Sequence, residues 1–118
     1  MIARILLAAV CAFAQAAPAA ATAELRLSKR AERHVREGHF EGGRRSRGKS
    51  LFTKGVDLLE LLKAAEASEP SRQGNGRDKR VADAGRAIGV DGRTRKPVRT
   101  YVVIAEPDGE VVTMYPGR

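Results

Sequence analysis

The two histidines of the chain, His34 and His39, lie five positions apart in an arginine-rich stretch, and Lys49 follows soon after them. Imidazoles can act as general base and general acid near neutral pH, because their ordinary pKa lies close to it. An ammonium group stabilises negative charge that develops on a phosphate. Cleavage of RNA by attack of its 2′-OH on the adjacent phosphate requires these three groups and no metal ion. We therefore treat the three residues as candidates for this chemistry.

Two other interpretations of the histidine pair stay open. Histidines at this spacing can bind a metal ion together, but no third ligand of a suitable type is evident nearby in the sequence. Histidines with only a structural role are also common. On one uninterrupted helix the two rings would point about 140° apart. A substrate shared by His34 and His39 therefore requires the helix to end near Gly38, so that His39 lies on a turn.

The segments that would position these residues are predicted from hydrophobic periodicity. Residues 25–37 are predicted to form a helix, and residues 56–65 a second, strongly amphipathic helix capped by Thr53. Residues 41–49 hold three glycines and several arginines, which predicts a flexible basic loop. Residues 68–80 are polar and rich in turn-forming residues, which predicts a mobile linker.

The C-terminal part of the chain predicts strands. A short strand is expected near residues 87–90, and two β-branched runs at residues 98–106 and 110–115 flank a Pro-Asp-Gly turn. This arrangement predicts an antiparallel hairpin. Helices followed by such strands predict an α+β domain, with the N-terminal helices packed on one face of a small antiparallel sheet.

The last predicted strand has two chemically different faces. Side chains alternate along a strand, which places Val111, Thr113 and Tyr115 on one face, and Val112 and Met114 on the other. The apolar face is expected to pack on the helices. The other face then presents a hydroxyl and a phenol, although both residue types are also common simply because they favour strands.

The N-terminus and the charge predict where the protein acts and what it binds. Residues 1–23 have a short basic start, an apolar core and an Ala-Thr-Ala end, which predicts a signal peptide cleaved after Ala23 and a secreted or periplasmic protein. Residues 24–118 then form a single domain with 21 basic and 14 acidic residues and no cysteine. This excess favours a polyanionic partner, either nucleic acid, an anionic membrane surface or an acidic protein. A GC-rich genome alone could also raise the number of arginines.

The motifs and their order resemble the bacterial EndoU ribonucleases, a branch of the barnase–EndoU–colicin–RelE group of toxin nucleases. The similar segments read HVREGHFEGG, GKSLF and GEVVTMYP, and the resemblance covers about Arg30 to Pro116. It implies a monomeric endoribonuclease toxin or effector that cleaves RNA or tRNA without a metal ion and leaves a 2′,3′-cyclic phosphate. It also implies a small acidic immunity protein as a candidate partner.

The resemblance assigns roles to individual residues. It implies an acid–base pair of histidines, a lysine that stabilises the phosphorane, and two strand residues that contact the phosphate or base and orient a histidine. A serine would assist. Apart from the resemblance, the positive charge of the basic loop predicts that its three arginines contact phosphates. In that order, these residues are His34 and His39, Lys49, Thr113 and Tyr115, Ser50, and Arg44, Arg45 and Arg47.

Two other function classes are consistent with the sequence. One is an exported cationic module that has lost catalytic activity and binds nucleic acid or an acidic protein. The other is a membrane-active cationic protein, which is poorly supported because no helix predicted after residue 23 combines a large apolar face with clustered lysine and arginine.

Overall fold

The computed structural model describes residues 24–118. The predicted signal peptide, residues 1–23, lies outside the described residues.

The first helix of the described chain, α1, spans Lys29–Gly38. Ser28 caps it, because its hydroxyl accepts a hydrogen bond from the amide of Ala31 at 3.1 Å. The helix ends at His39, whose amide still donates to the carbonyl of Val35 at 2.7 Å. The chain therefore leaves the helical path where the sequence predicted.

The predicted start of this helix was wrong by four residues. Arg26 lies in a β-bridge with Glu110 and runs parallel to it. Its amide donates to the carbonyl of Gly109 at 2.8 Å, and its carbonyl accepts from the amide of Val111 at 2.9 Å. These backbone hydrogen bonds hold residues 25–27 extended along the sheet, which excludes them from the helix.

The second helix, α2, spans Leu58–Ala65. Its N-cap is Asp57, whose carboxylate accepts hydrogen bonds from the amides of Leu59 and Glu60. The predicted cap, Thr53, was wrong, because its backbone amide donates to the carbonyl of Ile88 instead. The acidic cap also complements the positive end of the helix dipole.

The described residues form an α+β fold with two helices and two antiparallel sheets. The larger sheet has four strands in the order β2, β3, β6, β7, and the smaller sheet has three in the order β1, β4, β5. The strands are β1 Leu51–Phe52, β2 Ser71–Arg72, β3 Asp78–Asp83, β4 Gly89–Val90, β5 Pro97–Val98, β6 Thr100–Ala105 and β7 Val111–Pro116.

The prediction of a mobile linker over residues 68–80 was wrong. These residues contain β2 and the start of β3, which pair with each other around a tight turn. The turn is closed by a hydrogen bond from the amide of Gln73 to the carbonyl of Arg77 at 2.7 Å. β3 then pairs with β6 along its whole length. A charged sequence thus becomes an inner strand because its neighbour β6 supplies the apolar surface.

A β-bulge on β7 changes which side chains share a face. Ile104 pairs with Thr113 but Ala105 pairs with Val111, which leaves Val112 as an extra residue. Val111 consequently joins Met114 in the apolar core, and its predicted place beside Thr113 was wrong. The predicted shared face of Thr113 and Tyr115 is confirmed, because the two residues are two positions apart beyond the bulge.

The apolar core lies between the larger sheet, α1 and α2. Val35 of α1 and the buried face of α2 pack against Tyr101, Val103 and Met114. The hydroxyl of Tyr101 donates to the carbonyl of Leu61 at 2.5 Å, which ties α2 to the sheet. The opposite face of the sheet carries Thr113 and Tyr115. Neither helix within residues 24–118 has the length and apolar character needed to cross a membrane.

Candidate functional site

The end of α1 brings the two histidine rings together. His39 occupies the C-cap position with φ −132° and ψ 25°, so its side chain does not follow the helical rotation. The centroids of the rings of His34 and His39 lie 6.2 Å apart, with their planes at 70°. His34 is exposed and His39 is half-buried. The turn therefore places two imidazoles with different environments within reach of one phosphate.

The ring of His39 is oriented by the backbone of Ser50. The Nδ1 atom of His39 lies 3.2 Å from the carbonyl oxygen of Ser50. A carbonyl oxygen only accepts hydrogen bonds, so Nδ1 must be the donor. In the neutral ring Nε2 is then unprotonated and can accept a proton. The backbone of His39 is also fixed, because its carbonyl accepts from the amide of Phe52 at 2.7 Å.

The surroundings of His39 favour its neutral form. Burial lowers the pKa of His39 most, and the charges of Lys49 and His34 lower it further, while the hydrogen bond to the Ser50 carbonyl raises it. The resulting pKa lies below the ordinary value for histidine. His39 is thus suited to act as a general base at neutral pH.

The ammonium group of Lys49 lies close to the end of α1. Its Nζ atom is 3.5 Å from the position that a Cβ atom on Gly38 would occupy. This ammonium is also close enough to His39 for its charge to lower the pKa of that ring, although less than burial does. Lys49 is exposed, so a phosphate can reach it from solvent.

Ser50 contributes a positioning contact through both its backbone and its side chain. While its carbonyl faces His39, its Oγ accepts a hydrogen bond from the amide of Gly92 at 2.9 Å. Gly92 belongs to a turn that is held by Asp91, whose carboxylate accepts from two following backbone amides. These hydrogen bonds, first that from Thr94, hold the pKa of the Asp91 carboxyl below its usual value.

Tyr115 lies beside His39 on the face of the larger sheet that points away from the core. The centroids of the two rings are 5.6 Å apart, with their planes at 37°. Thr113 lies two residues back on the same face, and its Oγ1 is buried without a hydrogen-bond partner among residues 24–118. Buried polar atoms are usually paired in proteins. A substrate can contact this hydroxyl only after the atoms that cover it move aside.

The three arginines of the basic loop differ in their contacts. Arg44 pairs with Glu37 at 3.4 Å, so its charge is partly offset. Arg45 and Arg47 are exposed and have no salt-bridge partner within residues 24–118. The loop folds back on α1, since the amide of Arg45 donates to the carbonyl of Glu37 at 2.8 Å. The arginines of the loop therefore lie close to the C-terminal end of α1, near the histidines.

Sequence reasoning missed two parts of this site. One is Gly92, whose amide holds Ser50 across 42 positions of sequence. The other is a cavity of about 430 Å³ beside His34, lined in part by Arg30, Arg77 and Glu110. No local pattern connects these residues, because they come from three distant segments that the fold brings together.

Within residues 24–118, no three His, Cys, Asp or Glu side chains are grouped so that they could hold a metal ion.

No protein-family model matches this chain, and no curated protein matches it significantly.

Proposed function

We propose that this protein is an exported, metal-independent endoribonuclease that acts as a toxin or effector. The proposal is supported chiefly by the arrangement of two neighbouring imidazoles, of which His39 has an oriented ring and a lowered pKa. The resemblance of the motifs to EndoU ribonucleases supports the same reaction. The signal-peptide pattern of residues 1–23 supports export.

In the proposed reaction, Nε2 of His39 takes the proton of the 2′-OH. The 2′ oxygen then attacks the adjacent phosphorus, and the bond from phosphorus to the 5′ oxygen breaks. Protonated His34 donates its proton to that leaving oxygen. The products are a 2′,3′-cyclic phosphate and a free 5′-OH. No water or metal ion takes part in this step. His39 takes up one proton and His34 gives up one, so the total number of protons on the protein is unchanged.

Other residues of the site stabilise charge and position the substrate. The ammonium of Lys49 stabilises the extra negative charge of the phosphorane. Tyr115 packs against His39. In this proposal the hydroxyl of Thr113 donates to a phosphate oxygen or a base once the atoms that cover it move aside. Ser50 acts through the carbonyl that orients His39. Arg45 and Arg47, with Arg44 in a lesser role, attract the RNA backbone.

We propose a single-domain monomer of residues 24–118, with its helices on one face of the larger sheet and the RNA bound where α1 meets β7. RNA, including tRNA, is the proposed substrate. A small acidic immunity protein is the proposed partner, because a strongly basic toxin binds an acidic inhibitor favourably.

The proposal is tested by incubating the purified exported protein with total RNA in EDTA, beside His34→Ala and His39→Ala variants. We expect cleavage that persists in EDTA, leaves 2′,3′-cyclic phosphate ends and is lost in both variants. An Arg33→Ala variant is the control, since Arg33 is an exposed neighbour on the same helix. Intact RNA with the native protein, together with salt-sensitive binding, would instead support an inactive RNA-binding module.

A further inference from the structure

A cavity of about 430 Å³ opens beside His34, between α1 and the start of β7. Its apolar wall is formed by Ala31, Val111 and Val112. This volume lies within the range of small-molecule binding pockets. Ala31 and Val111 are only 8% and 3% exposed, so the half-buried Val112 offers most of the aliphatic surface against which the face of a flat ring can pack.

The polar lining of this cavity carries both signs of charge. Arg30 and Glu110 both line it, yet neither has a salt-bridge partner among residues 24–118. Arg77 also lines it, and its Nε binds the carboxylate of Glu106 at 3.2 Å, which orients the guanidinium. A ligand with both donors and acceptors would complement this exposed carboxylate and these guanidinium groups.

We propose that this cavity binds the base of the nucleotide on the 3′ side of the cleaved bond and prefers guanine. Guanine presents two N–H donors, at N1 and N2, side by side for a carboxylate. Its O6 and N7 atoms accept from arginine. The other three RNA bases have no N–H donors on two adjacent edge atoms. Guanine therefore fits Glu110 together with Arg30 or Arg77 better than any other base.

The placement on the 3′ side follows from the proposed function, on which this inference rests. His34 donates its proton to the 5′ oxygen that leaves, and that oxygen belongs to the nucleoside on the 3′ side. The base of this nucleoside therefore lies near His34. The cavity is lined by His34 and combines an apolar wall with charged groups.

The cleavage test compares UpG, UpA, UpC and UpU, which hold the 5′ nucleoside constant. We expect UpG to have the highest kcat/KM, by about tenfold over UpA, as one bidentate contact to a base provides. Glu110→Gln should remove most of this preference, and so should the double variant Arg30→Gln/Arg77→Gln. The matched controls are Glu69→Gln and Arg33→Gln, which are exposed residues outside the cavity and should retain it.

A binding test separates this inference from the proposed function. The dinucleotides dUpdG and dUpdA have no 2′-OH and cannot be cleaved, so their Kd is measured by NMR, with the His34 ring as a reporter. Tighter binding of dUpdG that is lost in Glu110→Gln would support the cavity even if the protein cleaved no RNA. Equal cleavage of all four ribodinucleotides would overturn the inference and leave the nuclease function standing. Equal binding of dUpdG and dUpdA would overturn it as well.

Discussion

The Nδ1 atom of His39 faces the carbonyl oxygen of Ser50 at 3.2 Å. This contact fixes the tautomer of the neutral ring, because only a protonated Nδ1 can donate to a carbonyl. We predict that ¹⁵N NMR shifts of neutral His39 will show a protonated Nδ1 and a bare Nε2. A protonated Nε2 would contradict the assignment of His39 as the general base.

The charge of Lys49 lowers the pKa of His39, so its removal should raise that pKa. We predict that in Lys49→Gln the ¹H NMR titration of His39 shifts to higher pH. The acid limb of the pH profile of kcat/KM should shift with it, because His39 must be neutral to act as base. Lys54→Gln removes an equal charge from an exposed position that does not affect His39, and it serves as the control. An unchanged titration in Lys49→Gln would show that the ammonium lies elsewhere in solution.

Gly92 has no space for a side chain. A Cβ atom there would lie 2.6 Å from the carbonyl carbon of Lys49 and 2.7 Å from the amide of Ser50. We predict that Gly92→Ala displaces this backbone, changes the His39 titration and lowers kcat, while the free energy of unfolding falls by about 1–3 kcal/mol.

Gly74→Ala is the control for this variant, since a Cβ at Gly74 meets no atom within 4 Å. Its stability and its His39 titration should match those of the native protein. If Gly92→Ala lost stability but kept the native titration of His39, the turn would support the fold without positioning the base.

Arg45 and Arg47 are exposed next to the site, which predicts contacts with RNA phosphates. In an Arg45→Gln/Arg47→Gln variant, the slope of log Kd against log salt for single-stranded RNA should decrease by about 0.7 for each lost contact. An Arg72→Gln/Arg86→Gln variant removes the same charge from arginines that pair with Asp78 and Glu60. Equal changes of slope in the two variants would indicate attraction by net charge alone.

The hydroxyl of buried Tyr101 donates a hydrogen bond to the carbonyl of Leu61 and so connects the larger sheet to α2. This contact has no role in the proposed reaction. We predict that Tyr101→Phe lowers the free energy of unfolding by about 1 kcal/mol, measured by chemical denaturation, and leaves cleavage unchanged. Tyr115→Phe should show the reverse pattern, with native stability and altered cleavage. Loss of cleavage in folded Tyr101→Phe would contradict this separation of roles.

The sequence predicted those parts of the fold that depend on local signals. The Pro-Asp-Gly turn, the helix end near Gly38 and the shared face of Thr113 and Tyr115 all follow from short-range backbone preferences. The sequence alone could not predict β3, because the segment Asp78–Asp83 is largely charged and its apolar and polar residues do not alternate. This strand forms only because β6 pairs with it along its length.

The candidate site shows the same division between local and distant contacts. The proximity of His34 and His39 followed from a helix that ends between them. The hydrogen bond from Gly92 to Ser50 and the cavity beside His34 join residues that are far apart in sequence. Such contacts depend on the complete packing of the chain, so periodicity and spacing give no signal for them.

The extra residue at Val112 determines which side chains of β7 face the core and which face away from it. Deletion of this single valine would let β7 pair evenly with β6, but one row of side chains would then need to exchange sides. Either Thr113 and Tyr115 would point into the apolar core, or Val111 would point away from it. The extra valine thus keeps Val111 and Met114 directed toward the helices while Thr113 and Tyr115 face away from them.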